Sequence, residues 1–425
     1  MNWNHRYRLR LYVRSSLWIL PVFSIVAALL TVSLLTRYEQ AIDSQTSISA
    51  ESARAIMITV AGSTFTLVVV VSSAVLLAVQ LASAQLTPRI ISMVYRNPYQ
   101  KLAFAVFVFT FTFSASVLVR IDETSPKIAS YVAAYGFLLN LALFILFIDK
   151  IGKMLRPSAA VALVAKSARG VIRSVYPSLF KIRAKDLLPN KAISNGEPRT
   201  VLSTMDGSVL AFDMKGLVTL AQRHDCLIEL VPEVGQFVAE GDPLFRIYGS
   251  NDGPSVSQLQ NSVAKGPERT PDQDPLFAFR ILVDISSKAL SPAINDPTTA
   301  VLAIDQIHHL LRDVGKRNLG DGRVSDQTGQ VRLLYRRPNW EDFVLLATTE
   351  IRHYGHDSIQ VQRRVRAMLK DLIETVPPER TAILQKELTL LASSSKRTFF
   401  DIDDQTLAET GDLQGIGGSY DDMDN

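Results

Sequence analysis

The 425-residue sequence has one cysteine, Cys226. A single thiol excludes an intramolecular disulfide, zinc ribbons and other cysteine-rich metal sites, and it agrees with a compartment where thiols stay reduced. In its context, RHDCLIELV, Cys226 reads as a small buried hydrophobe. No P-loop, no G-x-G-x-x-G after a strand and no G-x-S-x-G occurs, and neither histidine pair forms an H-E-x-x-H. No enzyme, cofactor or metal is therefore expected. Charge is missing from four apolar runs, 16–36, 58–83, 102–119 and 131–148, none of which has a charged side chain in its interior. Basic residues are missing after Arg397, where eight acids stand alone.

Each uncharged run is close to the roughly 20 residues a helix needs to cross about 30 Å of hydrocarbon. Only helices satisfy the backbone there from within a single segment, so four transmembrane helices are expected. The flanking charges orient them. Arg6, Arg8, Arg10 and Arg14 precede the first run; Arg89, Arg96 and Lys101 lie between the second and third; Lys150, Lys153, Arg156, Lys166, Arg169 and Arg173 follow the fourth. The other two loops carry only Arg37 with Arg54 and Arg120 with Lys127. This asymmetry puts both termini in the cytoplasm of a bacterial inner-membrane protein. The first run is too long, and too polar at its far end, for a cleaved signal peptide.

After the four-helix membrane domain, 1–150, the chain reads in pieces. Residues 151–198 form a basic, mostly helical connector suited to anionic lipid. Residues 199–249 alternate β-branched residues with Gly and Pro, a small β-rich module with one short helix in DMKGLVTLAQRHD. Its stretch from Gly235 to Gly241 is similar to the G-x-x-V-x-x-G hairpin of biotinyl and lipoyl carrier domains, but no attachment lysine is placed for modification, so the hairpin reads as structural. Residues 250–270 look like a linker. Residues 271–398 form a helical cytoplasmic domain, with helices near 276–290, 298–314, 340–354, 356–375 and 379–393. Residues 399–425 read as a disordered acidic tail; without its eight acids the formal charge would rise from +4 to +12. The fold class is thus an α-helical membrane protein with four transmembrane helices, a small β-rich module and a cytoplasmic helical domain.

Two patterns suggest sites. In SKALSPAINDPTTA, Pro292 ends one helix, while Asn295 or Asp296 caps the next with Pro297 in its first turn. The corner is either purely structural or a place where polar groups meet a ligand. On the second reading the candidates are Arg280, Asp284, Ser291, Asn295 and Asp296. Arg280, Asp284 and Lys288 share one helix face, the usual form of an ion-pair ladder. The second pattern is a seven-residue polar register, Thr59, Thr66, Ser73 and Gln80 continuing to Thr87, with Ser63 on the same face. It is either helix–helix glue or the wall of an aqueous path, and Thr59, Ser63, Thr66, Ser73 and Gln80 are the pore-lining candidates. Asn140, with Thr110, Thr112, Ser114 and Ser116, suits either role. The runs hold no Asp, Glu, Lys, Arg or His, which argues against a proton-coupled transporter or pump. Asp305, His308, His309, His353 and His356 read as solvated helix faces. VRLLYRRPNW reads as a strand and a packing tryptophan rather than a nucleic-acid surface.

The stretch QDPLFAFRILVDISSKALSPAINDPTTAVLAIDQI and the segment VQLASAQLTPRII resemble a bacterial family of predicted membrane proteins, domain of unknown function 2254. The resemblance covers nearly the whole chain apart from the acidic tail. It implies a membrane location and this order of elements, and no activity or functional residue. The expected function is an oligomeric, channel-like or transport-related protein with a regulatory cytoplasmic domain. The alternative is a membrane-anchored sensor or scaffold binding a ligand or partner protein there. The expected partners are the lipid bilayer, further copies of the chain and a cytoplasmic protein or small ligand, with no nucleic acid.

Overall fold

The structure, a computed structural model, describes residues 2–41, 49–91, 96, 98–121, 127–180, 197–249 and 252–418. It divides into two compact units, Leu11–Ala160 and a C-terminal unit of Val161–Asn425 joined by Met1–Arg10.

Helix α1 (Trp3–Ser15) is shared between the two units, and in the Leu11–Ala160 unit it is followed by four helices long and apolar enough to span a bilayer: α2 (Ile19–Ala41), α3 (Ala50–Gln85), α4 (Pro98–Leu118) and α5 (Lys127–Met154). The uncharged runs account for all four. α3 is longer than its run, and 36 residues make about 54 Å of helix. Ser49 starts it by accepting a hydrogen bond from the Ser52 amide, a normal N-cap. The interior is apolar, with Val71 and Phe107 in one cluster and Met57 and Phe113 in another. Phe23, Leu34 and Leu138 are exposed on the outside, as a lipid-facing surface requires.

The C-terminal unit begins with α6 (Pro157–Val175). Its buried face is Val161, Val164, Ala165, Ala168 and Ile172, and Lys166, Arg169 and Arg173 are exposed, so this part of the expected connector is an amphipathic helix. Residues 181–196 of that connector lie outside the described residues. There follow β1 (Arg199–Leu202), β2 (Gly207–Phe212), α7 (Met214–Arg223), β3 (Leu227–Leu230), β4 (Phe237–Val238), β5 (Pro243–Tyr248), α8 (Val256–Gln260) and β6 (Val263–Gly266). Next come α9 (Pro275–Ala289), α10 (Pro297–Gly315), β7 (Arg323–Ser325), β8 (Val331–Tyr335), α11 (Trp340–Tyr354), α12 (Ile359–Thr375), α13 (Thr381–Thr398) and α14 (Ile402–Glu409).

The strands form two sheets, β1-β5-β3-β8-β7 and β4-β2-β6. β3 and β8 pair in parallel and the other pairs are antiparallel. Two expected boundaries therefore dissolve. The linker contains α8, closed by a Ser255–Gln258 capping box, and β6, which completes the smaller sheet. The β-rich module is finished by β7 and β8 from within the helical domain. VRLLYRRPNW is the strand β8 followed by buried Trp340, whose indole donates to the Arg380 carbonyl at 2.9 Å.

Residues 399–418 of the acidic tail are ordered, and its remainder lies outside the described residues. Asp401 caps α14. Buried Arg363 on α12 donates to the carbonyls of Thr410, Gly417 and Gly418, and Arg366 donates to that of Ala408. The Asp412 carboxylate accepts the amides of Gln414, Gly415 and Gly417. A segment with little apolar content is thus held by backbone polar groups, which composition does not reveal.

Candidate functional site

The seven-residue register of α3 faces outward. Thr59, Thr66, Ser73 and Gln80 are exposed on the bundle, Ser63 is half-buried, and Thr87 lies past the helix end. The Thr59 and Thr66 hydroxyls donate to carbonyls of their own helix, Ala55 at 2.8 Å and Gly62 at 3.0 Å. The glue inside the bundle is elsewhere. Asn140 of α5, fully buried, donates to the Thr64 hydroxyl of α3 at 3.3 Å and accepts from the Thr110 hydroxyl of α4 at 3.4 Å. These three residues tie three helices together with polar atoms in an apolar interior. Thr64 is the member the sequence reading missed, because it breaks the seven-residue register.

The corner after α9 is built as its prolines suggest. The Asp296 carboxylate accepts the Thr299 amide at 3.0 Å and the Thr299 hydroxyl, starting α10 with Pro297 in its first turn. Asn295 adopts a left-handed φ of +48°, which asparagine tolerates better than most residues. The Asn295 amide donates to Ser291 O, the Asp296 amide to Ala289 O, and the Ser291 hydroxyl to Lys288 O. Arg280 and Asp284 are engaged separately. Arg280 Nε donates to Asp284 at 2.6 Å, and its two Nη atoms grip Glu350 of α11 at 2.5 and 2.8 Å. The five candidates thus fall into two groups, a closed turn and an ion-pair clamp between α9 and α11.

The solvated histidine face is corrected in part. His308 is largely buried between Asp371, whose carboxylate lies 2.7 Å from Nε2, and Arg364, 3.1 Å from Nδ1; Arg364 also donates to Asp305 at 2.6 Å. Burial lowers the His308 pKa. The neutral ring then donates to Asp371 and accepts from Arg364, stitching α10 to α12. Among the described residues no group of three or more His, Cys, Asp or Glu side chains is placed to hold a metal.

The C-terminal unit also contains a cavity of about 300 Å³, lined by Tyr176, Phe212, Glu233, Asp274, Tyr335 and Arg337 among others. That volume is near the lower end of roughly 300–1,000 Å³ for small-molecule sites. Its walls come from α6, β2, the β3–β4 turn, the start of α9 and the end of β8. Asp274 caps α9 through the Phe277 amide at 3.0 Å, and its other oxygen takes Arg269 Nε and Nη2 at 2.8 and 2.6 Å. This pair crosses Gly235, whose φ is +90° and where a Cβ would meet the Arg269 side chain at 2.2 Å. The carrier-like hairpin therefore lies under an ion pair between buried Asp274 and half-buried Arg269. The Arg337 guanidinium lies over the Tyr176 ring at 4.9 Å and the Tyr335 ring at 5.3 Å, a cation–π sandwich.

Two buried polar atoms at this cavity, Tyr176 Oη and Glu233 Oε1, have no hydrogen-bond partner among the described residues. Burial raises the Tyr176 phenol pKa. Burial first, then the carboxylates of Asp342 and Asp274, pushes the Glu233 carboxyl up. Asp274 is also held above its ordinary value by burial, against the pull of Arg269. Unpaired buried polar atoms carry an uncompensated desolvation penalty of about 1–3 kcal/mol each. A small polar molecule that donates to Glu233 and pairs with the Tyr176 hydroxyl would remove it. No sequence motif marked this place, because its residues are drawn from five separate segments.

The family described as "Predicted membrane protein (DUF2254)" matches residues 14–371. Uncharacterized proteins of Mycobacterium bovis and Mycobacterium tuberculosis are similar to the chain. Each is 24% identical over 424 residues, covering 95% of this chain and 81% of the relative. No solved structure matches.

Proposed function

The chain belongs to the DUF2254 family of predicted membrane proteins, and from that premise we propose that it is an oligomeric, channel-like inner-membrane protein whose C-terminal unit regulates the membrane unit. The carrying observation is the outward face of α3. Thr59 to Gln80 span 21 residues, about 32 Å of helix, the full depth of the hydrocarbon. An amide such as Gln80, with two donors and an acceptor oxygen, is costly to leave against lipid. The bundle's own helices do not cover this face, while the neighbouring Thr64 is fully engaged inside. Copies of the chain meeting along α3 would cover it and place the hydroxyls around a shared path. The reading assigns no catalytic step and puts both termini in the cytoplasm.

The single native cysteine makes the test direct. In a Cys226→Ala background, Ser73→Cys should cross-link copies in native membranes, and Leu138→Cys on α5 should not. Gln80→Leu should change solute flux in reconstituted vesicles with assembly intact. No cross-linking at Ser73, or flux insensitive to Gln80, sinks the reading. The cavity favours a second reading, a membrane-anchored sensor whose C-terminal unit binds a small ligand. A monomer in membranes whose C-terminal unit is stabilised by such a ligand would favour it.

A further inference from the structure

A second cavity lies in the membrane unit, where α4 begins and α5 ends. It has a volume of about 360 Å³. Its lining combines apolar side chains, Leu143, Leu146, Phe147 and Ile151 among them, with polar ones, Gln100, Lys150 and Lys153. Both helices are spans, so this place sits at a membrane–water boundary, at the end of the bundle where Arg89, Arg96 and Lys101 also lie. The Lys150 ammonium lies 3.0 Å above the centre of the Tyr99 ring. Lys153 pairs with Asp149 at 2.6 Å, but both side chains are more than half exposed, and a pair of that kind contributes little and exchanges readily. Gln100 is 4% exposed, and its Oε1 is buried without a hydrogen-bond partner among the described residues.

We propose that this cavity binds one anionic phospholipid whose head group carries a hydroxyl. The acyl chain lies along Leu143, Leu146 and Phe147. The phosphate is held by Lys150 and Lys153, and the head-group hydroxyl donates to Gln100 Oε1. Three observations converge on this occupant. The slot is apolar where the hydrocarbon is, the cations stand where phosphates are, and the unmet polar need among the described lining residues is an acceptor seeking a donor. Phosphatidylglycerol supplies all three complements; phosphatidic acid lacks the hydroxyl, phosphatidylcholine the net charge, and inorganic phosphate the chain. The site is independent of the oligomeric reading, since every lining residue comes from one copy.

The test uses the full-length protein, freed of lipid in detergent and placed in phosphatidylcholine nanodiscs with increasing phosphatidylglycerol. Binding is read by native mass spectrometry and by competition with a fluorescent phosphatidylglycerol. One saturable phosphatidylglycerol per chain is expected, undisturbed by millimolar inorganic phosphate. Lys150→Gln should weaken it about fivefold, the effect of one basic residue at an anionic surface. Leu146→Trp, which fills the slot, should weaken phosphatidylglycerol and phosphatidic acid alike. Gln100→Leu should weaken phosphatidylglycerol alone. Arg37→Gln, at the opposite end of the bundle, should change nothing, and lipid-free melting curves of all variants should match wild type to show that they fold. Displacement by inorganic phosphate would make this a free-anion site and overturn the proposal. So would unsaturable retention of several lipids, or equal binding by wild type, Lys150→Gln and Leu146→Trp. Variants that misfold are replaced by Lys153→Gln, whose exposed side chain the fold does not use; unchanged binding there also overturns it.

Discussion

Two helix starts in the C-terminal unit use the same two residues and reach opposite ends. Asp274-Pro275 opens α9 and Asp296-Pro297 opens α10. In each, a carboxylate oxygen accepts the amide three residues on at 3.0 Å. At Asp296 the second oxygen is used up by the Thr299 hydroxyl, in a half-exposed turn where the Ser291, Ile294, Asn295 and Asp296 amides are engaged. At Asp274 the second oxygen is buried against Arg269 beside a cavity with two unpaired polar atoms. The local device is the same; what lies around it decides whether anything is left to bind. The corner that looked chemically suggestive is closed, and the plainer one carries the unmet need.

The comparison is broken most forcefully at Asp274. Asp274→Ala removes a cap and also an ion pair with the half-buried Arg269, so a loss of roughly 1–3 kcal/mol is expected in urea unfolding followed through Trp340. A loss no greater than that of Asp296→Ala would make the two starts equivalent. Asp296→Ala removes only a cap and should cost roughly 0.5–2 kcal/mol. A smaller effect is expected from Glu233→Gln, with a definite sign. The folded carboxyl titrates above its ordinary 4.5, so its contribution is fully present below that pH and is lost as pH rises through the folded value. Glu233→Gln cannot ionise and should melt higher than wild type at neutral pH, with the gap closing toward acid. A gap that widens in acid would show a carboxylate stabilised by the fold. The smallest effect belongs to Tyr176→Phe, which should leave stability unchanged or raise it by about 1 kcal/mol, because it removes a buried hydroxyl that makes no bond and carries a desolvation cost. A loss above about 1 kcal/mol would mean that the hydroxyl is already bonded.

What the sequence disclosed follows the range of the interactions involved. The four spans, the helices from Pro275 to Thr398 and Trp340 on its helix were legible because period and capping residues are local signals. The short strand β6 was hidden in a Gly- and Ser-rich stretch, since Val263-Ala264-Lys265-Gly266 becomes a strand only by pairing with β2. The fold of the segment after Phe399 was hidden by its charge. The signal that could have exposed it lies on another helix, where Arg363 and Arg366 share a face one turn apart and must find acceptors if buried. The cavity with Glu233 and Tyr176 had no local trace at all. The outward register of α3 was readable as a pattern, but only the position of Thr64 separates it from the contacts inside the bundle.

The docking of residues 408–418 onto α12 changes what it means to shorten this gene. A stop codon placed before Thr410 would look like tidy removal of a polar extension. It would instead delete the carbonyls to which Arg363 is tied and uncover a guanidinium that the docked segment keeps 1% exposed. Expression vectors for this protein should therefore keep the chain through Gly418, whose carbonyl already accepts from Arg363.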